Sequence, residues 1–301
     1  MKTKRFLTVL ALTLTAAILL MACLNSDFVP KDYTKTVETG GKLEAKYLKM
    51  GKHEVSFFRE DASDPAAEFR VYYPSDMETS TKTYPAVIFV NGTGVYASKY
   101  SALFEHLASW GFIAVGNEDP STGNGNSTEQ TLVWLLKQNK NKKSIFYGKI
   151  DTNNIGLTGH SQGGAGVLSA ASIQKHAKTY KAIAALSPTH TEVAHELGWP
   201  YDLSKITCPI LLTAGTESDF ETKSVIPMDA MQRMYKALKA PKVRYRHKGS
   251  DHGMNLYAGD GYVTAWFLWH LQGNKTAAKV FTGDAPELLQ NKLYQNRIID
   301  C

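Results

Sequence analysis

Three cysteines in 301 residues are too few, and odd in number, for a disulfide-stapled scaffold. Charged residues make up only 21% against 43% apolar, which excludes a disordered polyelectrolyte. There is no collagenous period, internal repeat, low-complexity tract or second-domain linker. The histidines show no metal-ligand spacing: His190 and His195 read as exposed or pocket-rim residues, and His247 as structural. No metal or organic cofactor is expected. Neither sign of charge dominates, with 34 Lys+Arg against 28 Asp+Glu and a net charge of +6. What is left is a globular chain long enough to bury roughly three quarters of its unfolded surface.

Lys2, Lys4 and Arg5 precede an uncharged stretch from Phe6 to Ala22. That stretch is marginal for a bilayer span and usual for a signal sequence. It ends in Leu20-Met21-Ala22-Cys23, which resembles the lipobox of bacterial lipoprotein signal peptides. The resemblance implies cleavage after residue 22, acylation of Cys23 and a lipid anchor in the cell envelope; a secreted soluble protein is the alternative. Removing residues 1–22 halves the net charge to +3. The run Lys137–Lys143 then reads as a solvated helix end, where cations are favoured, so no nucleic-acid partner is expected. Outside the cytoplasm Cys208 and Cys301 become candidates for a disulfide that pins the C-terminal tail. Oligomeric state is not legible.

Residues 23–50 are polar, contain Gly40-Gly41 and lack sustained periodicity, so they read as a tether to a domain at 51–301. Val55–Arg59 and Glu68–Tyr73 predict a hairpin. Pro85–Val90 is the continuous apolar run of a strand buried on both faces. Helical spacing at Tyr100, Leu103, Phe104 and Leu107 leads to a strand at Phe112–Val115, and a helix at Thr128–Gln138 to a strand at Ile155–Thr158. Ala165–His176 predicts a small-residue helix. Strands follow at Tyr180–Leu186, Ile210–Ala214 and Val243–His247, with helices near 226–239, 260–271 and 285–296. This alternation predicts an α/β fold with a mostly parallel sheet covered on both faces. Leu186 to Cys208 is too short for a large lid, and Trp199 and Tyr201 are candidates for the pocket rim.

Gly159-His160-Ser161-Gln162-Gly163 follows the strand Asn154–Thr158 and opens the small-residue helix. That is the context of a nucleophile elbow, in which a strained turn projects the serine hydroxyl at a sheet edge. A serine needs a base, and the base needs an orienting acid, in the chain order Ser, acid, His. His252, on the glycine-flanked loop after Val243–His247, is the candidate base. Strand Ile210–Ala214 ends in Gly215-Thr216-Glu217-Ser218-Asp219, which makes Asp219 the candidate acid and Glu217 the reserve. Donors for a developing oxyanion fall on the amides of Gln162 and of Thr93, in Asn91-Gly92-Thr93-Gly94.

From about Glu54 onward the chain resembles the α/β-hydrolases of the cutinase, polyester-hydrolase and chlorophyllase group, related to dienelactone hydrolases. The likeness rests on Tyr100, Phe104–Phe112, Gly159–Gly164, and Gly215 with Asp219 four residues on. The resemblance implies an acid at the Asp219 spacing and an oxyanion amide at Thr93. Polyester hydrolases carry an aromatic where this chain has Thr93, and a tryptophan where it has Ser187-Pro188-Thr189, so both clamps for a flat polymer are missing. Dienelactone hydrolases use cysteine where this chain has Ser161. The expected activity is carboxylic-ester hydrolysis through an acyl-enzyme, on a small or polymeric ester. A thioesterase, peptidase or perhydrolase on the same triad is one alternative. A non-catalytic surface lipoprotein binding a glycan or lipid is the other.

Overall fold

The computed structural model describes residues 27–301. The signal sequence and the lipidation site at Cys23 lie outside the described residues. In chain order the elements are α1 (Tyr33–Thr36), α2 (Lys42–Leu48), β1 (Val55–Asp61), β2 (Glu68–Pro74), β3 (Tyr84–Val90), α3 (Ser101–Ser109) and β4 (Ile113–Asn117). There follow α4 (Asn126–Lys140), β5 (Ile150–His160), α5 (Gln162–Ala170), β6 (Tyr180–Leu186), α6 (Thr191–Glu196), β7 (Ile210–Gly215) and α7 (Met228–Ala237). The chain closes with β8 (Lys242–His247), α8 (Asp260–Gln272), α9 (Lys275–Ala278), α10 (Glu287–Gln290) and β9 (Tyr294–Asp300).

The strands form one sheet in the order β1-β2-β4-β3-β5-β6-β7-β8-β9. β1 and β2 form the antiparallel hairpin read from the sequence, and β4, β3 and β5 through β8 run parallel. This is the α/β-hydrolase architecture. The apolar run of β3 explains itself here, because successive side chains point to opposite faces and both faces are covered. Ile88 and Val90 join one core, with Leu132 and Leu135 of α4, Leu168 of α5 and Met231 of α7. Val87 and Phe89 join the other, with Phe104 of α3 and Trp266 and Phe267 of α8.

Three readings need correction. The tether expected at 23–50 is, from residue 27 onward, folded onto the domain: Val29, Tyr33, Tyr47 and Leu48 are buried in the second core. Tyr33 donates to Asp260 Oδ2 at 2.6 Å, and the same oxygen lies 2.6 Å from His106 Nδ1. Glu287 accepts the amides of Leu43 and Glu44 at the start of α2, at 2.7 and 2.9 Å, taking up donors a helix start leaves free. Glu44 is itself buried and accepts the Gly40 amide, the Asn291 side chain and the Tyr294 hydroxyl.

The helix expected at 285–296 is the short α10 followed by β9, an antiparallel edge strand on β8. That strand also explains the third correction. Cys208 and Cys301 are both free thiols. β8 lies between β7, which Cys208 precedes, and β9, which Cys301 follows. Two strand spacings are about 9.5 Å, beyond the Cα separation a disulfide spans.

Candidate active site

β5 ends at His160 and α5 starts at Gln162, leaving Ser161 alone on the turn at φ 61° and ψ −121°. Only a tight crossing permits this. A Cβ on Gly163 would lie 2.1 Å from the Val90 carbonyl oxygen, and one on Gly159 would lie 2.7 Å from it. The elbow is fastened to the end of β6, since the Ser161 amide donates to Leu186 O at 3.0 Å.

The loop after β3 is braced from β4. Asn91 donates from Nδ2 to the carbonyls of Asn117 and Asp119, at 2.7 and 2.8 Å. Thr122 donates from its hydroxyl to Asn91 O at 2.7 Å and from its amide to Gln162 Oε1 at 3.0 Å. The two segments expected to supply oxyanion donors are therefore joined through Thr122. Among the described residues no acceptor takes the amide of Thr93 or of Gln162.

His252 sits on the loop after β8 and is brought to the elbow by His160, whose ring centroid is 4.5 Å from its own. Phe220 packs edge-on against the His252 ring, with centroids 4.9 Å apart.

The acid differs from expectation. Asp219 is exposed and pairs with Lys223 at 2.8 Å, and Glu217 is exposed as well. The carboxylate on His252 Nδ1 is Glu221, whose Oε2 lies at 2.6 Å. The chain reaches this point by a wide turn. Ser218 takes a left-handed φ of 66°, and the Ile226 amide donates five residues back to Glu221 O at 3.0 Å, a π-type bond common at functional sites. Arg246 clamps both ends of the loop, donating to Gly215 O at 2.9 Å and to Ile226 O. A side chain one methylene longer than aspartate, entering two residues later, thus reaches the end of β7.

Glu221 is fully buried. Burial alone would raise its pKa, but the His252 hydrogen bond and charge, the Ser187 hydroxyl and the Gly215 amide overcome it and hold the carboxyl at about 2. His160 is also pushed down, to about 3, by burial and by the neighbouring His252, which for an imidazole favours the neutral form. A carboxylate, an imidazole held by it at Nδ1 and a serine on an elbow are the components of nucleophilic acyl transfer. Tyr201, expected at the rim, is buried and donates its hydroxyl to Thr189 O at 2.9 Å, while Trp199 is half-buried and lies against Gly123. Glu221 escaped the sequence reading. Its only signal there is the neighbouring Phe220, an apolar residue within the otherwise polar stretch 216–224.

A family model described as PETase, PET hydrolase-like, matches residues 38–287. The bis(hydroxyethyl) terephthalate hydrolase of Streptomyces coelicolor is 30% identical over 150 residues, covering 50% of this chain and 44% of that protein. Chlorophyllase-1 of Citrus unshiu and of Citrus sinensis are each 32% identical over 92 residues, 27% of this chain and 27% of theirs. The chain spans less than half the length of these relatives.

Proposed function

The chain belongs to the PET hydrolase-like family, and from that premise we propose that it hydrolyses carboxylic esters through a covalent acyl-enzyme on Ser161. The observation that carries the reading is the 2.6 Å contact of His252 Nδ1 with buried Glu221, beside the elbow that presents Ser161. With Nδ1 committed to the carboxylate, Nε2 is the nitrogen that takes the Ser161 proton as Oγ attacks the ester carbonyl. The amides of Thr93 and Gln162 receive the oxyanion, and the imidazolium returns its proton to the leaving alcohol. Water then enters by the same route and releases the acid, so Ser161 is regenerated. Glu221 remains ionised throughout and stabilises the transient imidazolium.

The family and the terephthalate-ester hydrolase relative support an ester substrate. Thr93 and the Ser187-Pro188-Thr189 segment offer no aromatic surface, which favours a small ester over a polymer film. Export and acylation at Cys23 belong to the same reading, and metabolic labelling with palmitate, lost in Cys23→Ala, tests them.

The decisive experiment is labelling with a fluorophosphonate. The folded wild type takes up one equivalent and Ser161→Ala takes up none. A folded wild type that stays unlabelled, with no turnover of matched ester, thioester or amide substrates, overturns the proposal and leaves a binding protein.

A further inference from the structure

Ser187 follows the last residue of β6, is completely buried, and stands at φ 41°, in the left-handed region that favours glycine. Glycine would satisfy that backbone without strain, so what serine adds is its hydroxyl. The partners fix where the hydroxyl's single proton goes. Asn255 donates from Nδ2 to Ser187 Oγ at 2.8 Å, so there Oγ is the acceptor. Its own hydrogen points to Glu221 Oε1, 2.7 Å away. The Gly215 amide donates to the same carboxylate oxygen at 2.6 Å. One oxygen of Glu221 is thereby occupied by two donors, and the other is left for His252.

Glutamate needs this more than aspartate does. Its extra rotatable bond lets the carboxylate swing unless something holds the far oxygen. Asn255 lies three residues after His252 on the same loop, so the bonds close a circuit: Asn255 to Ser187, Ser187 to Glu221, and His252 to Glu221. Thr213 on β7 receives a second Asn255 bond at 3.2 Å and anchors it. The charged and titratable groups that bear on this circuit are Arg246 and His252 at Glu221, and His160 at His252.

We propose that Ser187, set by Asn255, is a positioning residue that fixes the carboxylate of Glu221 in the orientation His252 requires. The proposal rests on the triad reading given above. It places a dedicated support next to an acid that enters from an unusual point in the loop.

The test is kinetic. Ser187→Gly keeps the backbone conformation while removing the hydroxyl, so the protein still folds, with relief of strain at φ 41° offsetting part of the lost hydrogen bonding. Its kcat on a soluble aryl ester falls about tenfold, the scale of losing a group that orients a catalytic residue, with KM within twofold. Asn255→Ala lowers kcat by several-fold, and the double variant is no slower than Ser187→Gly alone, because Asn255 acts through Ser187. Should Asn255→Ala fail to fold, the single variant still decides. A folded Ser187→Gly with wild-type kcat overturns the proposal, as do additive losses in the double variant. Failure of the triad reading is separately visible, as full activity in Glu221→Gln or an unlabelled wild-type Ser161.

Discussion

His160 Nε2 lies 2.7 Å from the main-chain carbonyl oxygen of His252. A carbonyl only accepts, so the His160 imidazole must carry its proton on Nε2. The residue before Ser161 thus tethers the loop that carries His252.

This tether makes the fold acid-sensitive. An unfolded imidazole titrates at about 6.5, whereas native His160 is held at about 3. Between those values the unfolded chain binds a proton that the native chain refuses, so stability falls as pH drops below roughly 6.5. Glu221, held at about 2, contributes stability that is complete above about pH 4.3 and lost as pH falls from there. In urea melts at stepped pH, His160→Gln, which keeps a donor and removes the titration, is expected to show a flatter slope between pH 6.5 and 4.5. An unchanged slope there would sink the assignment.

Glu221 and Asp219 are two residues apart and should behave oppositely. Glu221→Gln is expected to lower kcat by roughly 10⁴-fold, as when the orienting acid of a serine triad is neutralised. Asp219→Asn, at an exposed ion pair with Lys223, should leave kcat within twofold. Steady-state rates on one soluble ester settle the matter, and the reverse ranking would restore the aspartate.

The N-terminal arm should be worth real stability. Asp260 is buried with His106 and Tyr33 on one oxygen, so Asp260→Ala removes the acceptor of two buried groups and should cost about 2–3 kcal/mol. Tyr33→Phe, which removes only the hydroxyl, should cost about 1–2 kcal/mol. Urea unfolding measures both, and a loss-free Asp260→Ala would show the arm to be ornamental.

The thiols give a simple check on the C-terminus. Burial pushes Cys208 up to about 12, so it should resist alkylation until the protein unfolds. Reductant should leave the melting temperature unchanged. A drop of several degrees on adding dithiothreitol would mean that a bridge forms after all.

The parts of the fold legible in the sequence are those where one local pattern sufficed. The β3 run from Pro85 to Val90 is apolar because both faces are covered, and the crowding at Gly159 and Gly163 marks the elbow. The misread parts depend on distant partners. Val29, Tyr33 and Tyr47 show no period because their burial is decided by packing into the core with α3 and α8, not by a pattern along their own short segments. β9 is a half-exposed edge strand with no continuous apolar run, defined mainly by its pairing to β8. The carboxylate that meets His252 is not the one the spacing points to, because a spacing from Gly215 fixes a distance along the chain. The wide turn, clamped by Arg246 from β8, fixes a point in space, and Glu221 occupies it.

The bond from Tyr33 to Asp260 joins residues 227 positions apart. A chain emerging from the ribosome cannot make it until nearly the whole polypeptide exists, and closing so long a loop is slow. The first described segment to be synthesised is therefore among the last to settle. Until then the second core lies open along α3, where Tyr33 packs against His106.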